Sequence, residues 1–278
     1  MRNRPRRRRE GMKRGVYILP NLLTSASLFC GFYSVIKSLG GHFVPAAWAI
    51  VLAGLFDLLD GRIARLARAE SQFGIEYDSL VDLASFGLAP AILIYTWSLH
   101  TMDKLGWLAA FLYFACGALR LARYNVQHDD VEQEFFQGLP IPVAAYVIAT
   151  CIIFHHFYFV FPPESSILTA GMTVALALLM VSTIRYRSMK VVDIKSRNPF
   201  FVLVLLVFGL FVVAARPEVM MLALTVAYVA SGIFEEAVTL RQSRRLVERI
   251  RSGRPPDAAG RLEVVGGRDS DRGERLSG

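Results

Sequence analysis

The sequence predicts an all-α fold, a polytopic membrane helical bundle of about eight transmembrane helices with both termini in the cytoplasm. Hydrophobic residues make up 54% of the 278 residues, and charged residues make up 19%, against roughly 25% in soluble domains. Long stretches lack charge, since 139–184 contains one acidic residue, Glu164, and 199–215 contains no charged residue. The basic residues are concentrated in alternate connections between the apolar stretches.

Eight apolar stretches approach the length of about 20 residues that a helix needs to cross the hydrocarbon core. In chain order they are 17–37, 43–62, 80–99, 105–124, 139–160, 166–185, 199–215 and 218–237. Helices are expected because a helix satisfies its backbone polar groups within the segment. Some stretches are short or contain Gly and Pro, so seven spans also fit.

The basic residues predict the orientation of the spans. With a cytoplasmic N-terminus, the inside segments hold 24 Lys and Arg residues; these segments are 1–14, 62–72, 120–138, 185–198 and 241–254. The outside turns hold only Lys37, Lys104 and Arg216. This bias follows the positive-inside rule, and eight spans return the C-terminus to the cytoplasm. We therefore expect a multi-pass protein of the cell membrane.

Three regions are predicted along the chain: a basic cytoplasmic segment at 1–14, a transmembrane domain at 15–240 and a basic, largely disordered cytoplasmic tail at 241–278. Residues 252–278 are rich in Gly, Arg, Asp, Ser and Pro, a composition typical of disorder. Both basic segments adjoin a membrane span, which favours anionic membrane lipids as their partners and argues against nucleic acid.

An aspartate-rich stretch begins at the cytoplasmic end of the second span and continues into the third. It reads DLLDGRIAR at 57–65 and GIEYDSLVD at 74–82. If the first segment is a helix, one of its faces contains Asp57, Asp60, Gly61, Ala64 and Arg65. If the second segment is a helix, Gly74, Asp78 and Asp82 share one of its faces. We expect the two helices to present four carboxylates to the space between them.

Four neighbouring carboxylates at a membrane need an explanation, because they repel each other or take up protons. Divalent cations remove this problem, and oxygen-only ligands suit Mg²⁺, Mn²⁺ or Ca²⁺. Two such ions held by shared carboxylates form an arrangement used for phosphoryl transfer. The absence of His and Cys nearby argues against zinc. The alternative is that the acids are loop-end charges paired with Arg62, Arg65 and Arg68, which the number of identities at fixed spacing disfavours.

The stretch resembles the signature of the CDP-alcohol phosphatidyltransferase family, DxxDGxxAR, eight residues and GxxxDxxxD, and it matches at every position. The resemblance implies a helical membrane core with an active-site cavity open to the cytoplasm. It implies two divalent cations bound by Asp57, Asp60 and Asp78, with Asp82 both near the metals and the general base. CMP would be released from CDP-diacylglycerol as an alcohol attacks the β-phosphorus.

The same resemblance implies the residues that contact CDP. In the first half of the motif these are Gly61, Ala64 and Arg65. Ser71 lies between the two halves, Gly74 begins the second half, and Asn21 and Thr24 lie at the start of the first span. Other interpretations remain open for some of them. Gly61 and Ala64 are small residues that also let membrane helices pack closely. Asn21 follows Pro20 and is equally suited to cap a helix.

Three further segments, 84–91, 116–125 and 136–142, resemble the phosphatidylserine synthase branch of the family. The resemblance covers roughly 15–240 and implies L-serine as the acceptor alcohol and a homodimer. A zwitterionic amino acid needs a cation for its carboxylate, and Arg120 and Arg123 lie one turn apart on one helix face. The two arginines are also suited to anchoring the fourth span at the membrane surface.

Two alternatives stay open for the function. The first is a sibling transferase that uses glycerol 3-phosphate, inositol phosphate or choline. The second is an ion-coupled membrane transporter, because intramembrane carboxylates also build ion pathways. A transporter predicts carboxylates near mid-membrane and internal repeats, and the sequence has neither feature.

Overall fold

The computed structural model describes residues 7–67, 71–127, 135–159, 167–187 and 216–251. Within these ranges the chain forms helices joined by short connections, with a single pair of short strands. The elements are α1 Arg7–Leu39, α2 Phe43–Ala67, α3 Gln72–Asp82, α4 Ala89–Trp97, α5 Asp103–Gln127, β1 Phe135–Gln137, α6 Ile141–Tyr158, α7 Ile167–Val181, β2 Arg185–Arg187 and α8 Pro217–Arg251. A π-helical turn, Leu83–Leu88, joins α3 to α4, and a 3₁₀ turn, Leu99–Met102, precedes α5.

The polytopic helical class is confirmed. Six segments of the described residues are long and apolar enough to cross a membrane: Ile18–Leu39, Phe43–Leu66, Gln72–Trp97, Leu99–Val126, Ile141–Tyr158 and Pro217–Phe234. They correspond to the first five predicted spans and the eighth. The sixth predicted span is the shorter helix α7. The seventh, 199–215, lies outside the described residues.

One boundary of the predicted architecture is wrong, and one small feature was not predicted. The third span begins at Gln72 rather than at 80, because the Ser71 hydroxyl caps α3 by accepting a hydrogen bond from the Gly74 N–H. The all-α class is confirmed, and the short antiparallel pairing of β1 with β2, in which Phe135 lies opposite Arg187, was not predicted. Three-residue strands are too short to show an alternating pattern, and β2 begins at residue 185, where the predicted sixth span ends.

Helix α8 extends beyond the predicted transmembrane domain to Arg251, so 241–251 is helical. The rest of the predicted tail lies outside the described residues. The described residues up to Gly232 form one compact unit and those from Ile233 form a second. The candidate active site belongs to the first unit.

The core of this unit lies among α2, α4, α5 and α6. Fully buried side chains from these helices include Ile50, Leu93, Tyr113 and Ile148. Large apolar side chains such as Phe29 and Phe32 on α1 are exposed, as expected for a surface that faces lipid tails. Burial therefore separates the helix faces that meet protein from those that suit the bilayer.

Small residues bring α1 against the turn that follows Asp82. The Ser85 hydroxyl donates to the Ser27 carbonyl at 3.2 Å. A Cβ atom at Gly31 would lie 2.6 Å from Ser85 Oγ, so only glycine fits there. This close approach sets the distance between α1 and the end of α3.

Candidate active site

The acidic side chains of α2 and α3 meet in the space between the two helices. Asp57, Asp60 and Asp78 each offer a carboxylate oxygen, and these oxygens lie within 4.8 Å of one another. Asp82 lies one turn after Asp78, and its carboxyl group is close enough to interact electrostatically with those of Asp57, Asp60 and Asp78. The fold therefore brings all four predicted acids into one group, which we call the carboxylate cluster.

Helix α1 holds one member of the cluster in place. The Thr24 hydroxyl donates a 2.7 Å hydrogen bond to Asp60 Oδ2 and lies 3.1 Å from the Pro20 carbonyl. Both side chains are buried, and Asp60 is only 4% exposed. A buried carboxylate that accepts a hydrogen bond from a fixed donor has little freedom to rotate. Thr24 therefore orients one carboxylate of the cluster, that of Asp60.

The carboxylate cluster is compatible with divalent cations. Asp78 Oδ1 and Asp82 Oδ1 are buried and have no hydrogen-bond partner. In the described ranges no arginine or lysine forms a salt bridge with the four acids, and this includes Arg62 and Arg65. Arg68, the third proposed partner, lies outside those ranges. Buried acidic oxygens without a bonding partner are costly, and hard divalent ions bind such oxygens well.

The residues expected to contact CDP lie on α1 and α2 and at the start of α3. A Cβ atom at Gly74 would lie 3.1 Å from Ser71 Oγ and 3.5 Å from Asn21 Oδ1, so these three residues are neighbours. At Gly61 an added Cβ would meet only Arg65 Nη2, at 3.9 Å. Gly61 thus borders open space, which does not support the alternative that it serves helix packing. Ala64 is half-buried and Arg65 is exposed.

Arg120 and Arg123 are not brought to the cluster together. Arg123 Nη1 donates to the Val181 carbonyl at the end of α7, at 3.1 Å. Arg120 is 9% exposed, its Nε has no hydrogen-bond partner, and its charge interacts with Asp82. Of the two arginines, Arg120 is therefore the one whose charge interacts with the cluster, and Arg123 fastens α5 to α7.

The turn after Asp82 is π-helical, and one tyrosine supports it. The fully buried Tyr113 hydroxyl donates to the Phe86 carbonyl at 3.1 Å. π-Helical turns are rare and occur frequently at functional sites. The turn lets α3 run into α4 without a break, so Asp82 lies inside one membrane-length helical segment.

Two tyrosines that interact with the cluster or with Arg120 were missed by sequence reasoning. Tyr146 on α6 interacts electrostatically with Asp57 and Asp82, and Tyr228 on α8 interacts with Arg120. A tyrosine within an apolar run has the same sequence signature whether it packs against lipid or lines a polar site. No pattern in the sequence distinguished these two from the other tyrosines.

Comparison with known proteins matches this chain to one family. Residues 17–184 match the sequence model of the family described as CDP-alcohol phosphatidyltransferase. The chain is 37% identical over 202 residues to the CDP-diacylglycerol–serine O-phosphatidyltransferase of Helicobacter pylori, covering 73% of this chain and 84% of the relative. The protein of the same name from Bacillus subtilis is 35% identical over 173 residues, covering 62% and 91%. The archaetidylserine synthase of Methanothermobacter thermautotrophicus is 39% identical over 170 residues, covering 60% and 69%.

Proposed function

This chain belongs to the CDP-alcohol phosphatidyltransferase family, and on that premise we propose that it is a CDP-diacylglycerol–serine O-phosphatidyltransferase. The reaction transfers a phosphatidyl group to the hydroxyl of L-serine and releases CMP. The observation that carries the proposal is the cluster of Asp57, Asp60, Asp78 and Asp82, which combines the family's spacing with buried, unpartnered oxygens.

Two divalent cations, Mg²⁺, Mn²⁺ or Ca²⁺, are proposed to bind Asp57, Asp60 and Asp78, with Asp82 beside them. Bound ions would neutralise the diphosphate and the charge that develops on the departing CMP. The unpartnered oxygens of Asp78 and Asp82 support this role, because they face no competing donor from the described chain. Thr24 would orient Asp60 by its hydrogen bond to Oδ2 without binding the metal itself.

The cytidine diphosphate is proposed to lie against α1, α2 and α3. The open space beside Gly61 lets a nucleotide approach the backbone, and the exposed Arg65 is available for a phosphate. The other residues proposed to line this part of the site are Asn21, Thr24, Ala64, Ser71 and Gly74.

Asp82 is proposed to accept the proton of the serine hydroxyl as the serine oxygen attacks the β-phosphorus. The new oxygen–phosphorus bond forms while the bond between that phosphorus and the bridging oxygen breaks. CMP leaves with the electron pair of the broken bond. Arg120 would pair with the serine carboxylate, which its burial and its charge interaction with Asp82 support. Arg123, which is engaged by Val181, has the weaker claim to this role.

The site is proposed to face the cytoplasm from the cell membrane. The positive-inside bias and the position of the motif near the end of α2 support this side. The acyl chains would stay in the bilayer while the head group reacts. Anionic lipids around the basic segments and a homodimer remain predictions.

The test offers the purified, reconstituted protein CDP-diacylglycerol with serine, inositol phosphate, glycerol 3-phosphate or choline in parallel. We expect metal-dependent release of CMP with serine and none after chelation by EDTA. Asp82→Asn serves as the inactive control. Release with another acceptor instead would identify a sibling transferase, and ion flux across vesicles without any CMP release would support the transporter.

A further inference from the structure

Tyr146 reaches from α6 to the base of the carboxylate cluster. A methyl group at Gly54 on α2 would overlap the Tyr146 hydroxyl and ring, so the hydroxyl lies directly against the backbone there. Asp57 is three residues after Gly54, and side chains on a helix lean toward its N-terminus. Asp57 therefore leans over the turn on which the Tyr146 hydroxyl rests.

The hydroxyl has no assigned role in the reaction described above. It interacts electrostatically with both Asp57 and Asp82. Within the described part of the chain no group hydrogen-bonds to it, so its oxygen is available to a ligand. The ring is fixed by an edge-to-face contact with Phe86, at 6.5 Å between centroids. A fixed polar group that interacts with two carboxylates without bonding to them has hydrogen-bonding capacity left for a ligand.

The surroundings favour a cation at this hydroxyl. Both charged groups with which the hydroxyl interacts, Asp57 and Asp82, are acidic. A tyrosine oxygen accepts hydrogen bonds, as carboxylates do, and an ammonium group has three donors. Arg120, the buried cation whose charge interacts with Asp82, suits the carboxylate of the same amino acid. An amino acid with its hydroxyl at Asp82 would thus have its carboxylate toward Arg120 and its ammonium toward Tyr146.

We propose that Tyr146 is a specificity-determining residue whose hydroxyl oxygen accepts a hydrogen bond from the ammonium group of the amino-acid acceptor. Gly54 is the position that admits this hydroxyl. The proposal rests on the proposed function, because it assumes a zwitterionic acceptor with its reacting hydroxyl at Asp82. It adds a contact that distinguishes serine from alcohols without an amino group.

Tyr146→Phe in the reconstituted full-length enzyme tests the proposal, because the ring stays and only the hydroxyl is lost. We expect the KM for serine to rise about tenfold, as for the loss of a hydrogen bond to a charged group, with the KM for CDP-diacylglycerol unchanged. Inhibition by ethanolamine, which keeps the ammonium, should weaken. Inhibition by 3-hydroxypropanoate, which lacks it, should stay the same. A purely structural role would not separate these two inhibitors.

Matched control variants distinguish the loss of this hydrogen bond from a general loss of folding. Tyr95→Phe removes a hydroxyl from a half-buried tyrosine on α4 and should change neither KM. Gly54→Ala should displace the Tyr146 hydroxyl and repeat the rise in the KM for serine. Gly171→Ala on α7, where an added Cβ meets nothing within 4 Å, is its control.

Two results would overturn the inference: an unchanged KM for serine in both Tyr146→Phe and Gly54→Ala, or equal weakening of both inhibitors. Failure of the proposed function is a different result, because the wild-type enzyme would then release no CMP with serine.

Discussion

The Thr24 hydroxyl on α1 donates a 2.7 Å hydrogen bond to Asp60 Oδ2 on α2, and both groups are buried. Thr24→Val keeps the shape and removes this donor. We expect Mn²⁺ affinity, measured by titration of the purified protein, to fall about tenfold, as is usual when the partner of a metal ligand is lost. Thr96→Val is the control, because Thr96 bonds only to carbonyls of its own helix α4. Equal affinities in the two variants would contradict a role for Thr24 at the metal site.

Asp82→Asn should abolish turnover while CDP-diacylglycerol binding is kept. The amide is close in size to the carboxylate but cannot accept the proton, so kcat should fall at least about a hundredfold. Turnover is measured as CMP release and binding by displacement of a labelled CDP-lipid. Loss of binding with activity retained would show that Asp82 holds substrate rather than the acceptor proton.

Asp57→Ala and Asp78→Ala should each weaken metal binding and CDP binding together. Both residues contribute a carboxylate oxygen to the proposed metal site, and the bound metal would neutralise the diphosphate. Binding of CDP is measured with and without Mn²⁺, and the two variants should lose most of the metal-dependent part. Glu76→Gln is the control, since Glu76 is an exposed acid on α3 whose side chain bonds only to Gln72 among the residues that the structure describes. Metal-dependent CDP binding that survives in both variants would exclude these aspartates as ligands.

Arg120→Ala and Arg123→Ala should have different effects although the residues are one turn apart. Arg120→Ala should raise the KM for serine and leave the KM for CDP-diacylglycerol unchanged, because Arg120 faces Asp82. Arg123→Ala should instead lower the free energy of unfolding by about 1 kcal/mol, because the hydrogen bond to the Val181 carbonyl is lost. Steady-state kinetics and a melting curve separate the two effects. A KM change for the lipid alone in Arg120→Ala would refute the acceptor assignment.

Much of the fold could be predicted from sequence because a membrane allows few alternatives. A span must be apolar and helical, so the positions of α1, α2 and α6 follow from hydropathy. The start of α3 could not be placed in this way. It depends on one hydrogen bond from the Gly74 N–H to Ser71, which lowers the cost of beginning a helix in a more polar stretch.

The convergence of the four aspartates was predictable because their spacing places them on helix faces within a short segment of chain. The surroundings of Tyr146 were not, because its contact with Gly54 joins helices that are far apart in sequence. Such a contact is set by packing across the bundle, and periodicity along one helix carries no information about it. The different environments of Arg120 and Arg123 were hidden for the same reason.

The fit between Gly31 and Ser85 leaves no space even for a methyl group. The interlocked surfaces of α1 and the π-helical turn resist sliding, so this side of the bundle is held rigid. We expect any opening toward the bilayer to lie on another side of the bundle.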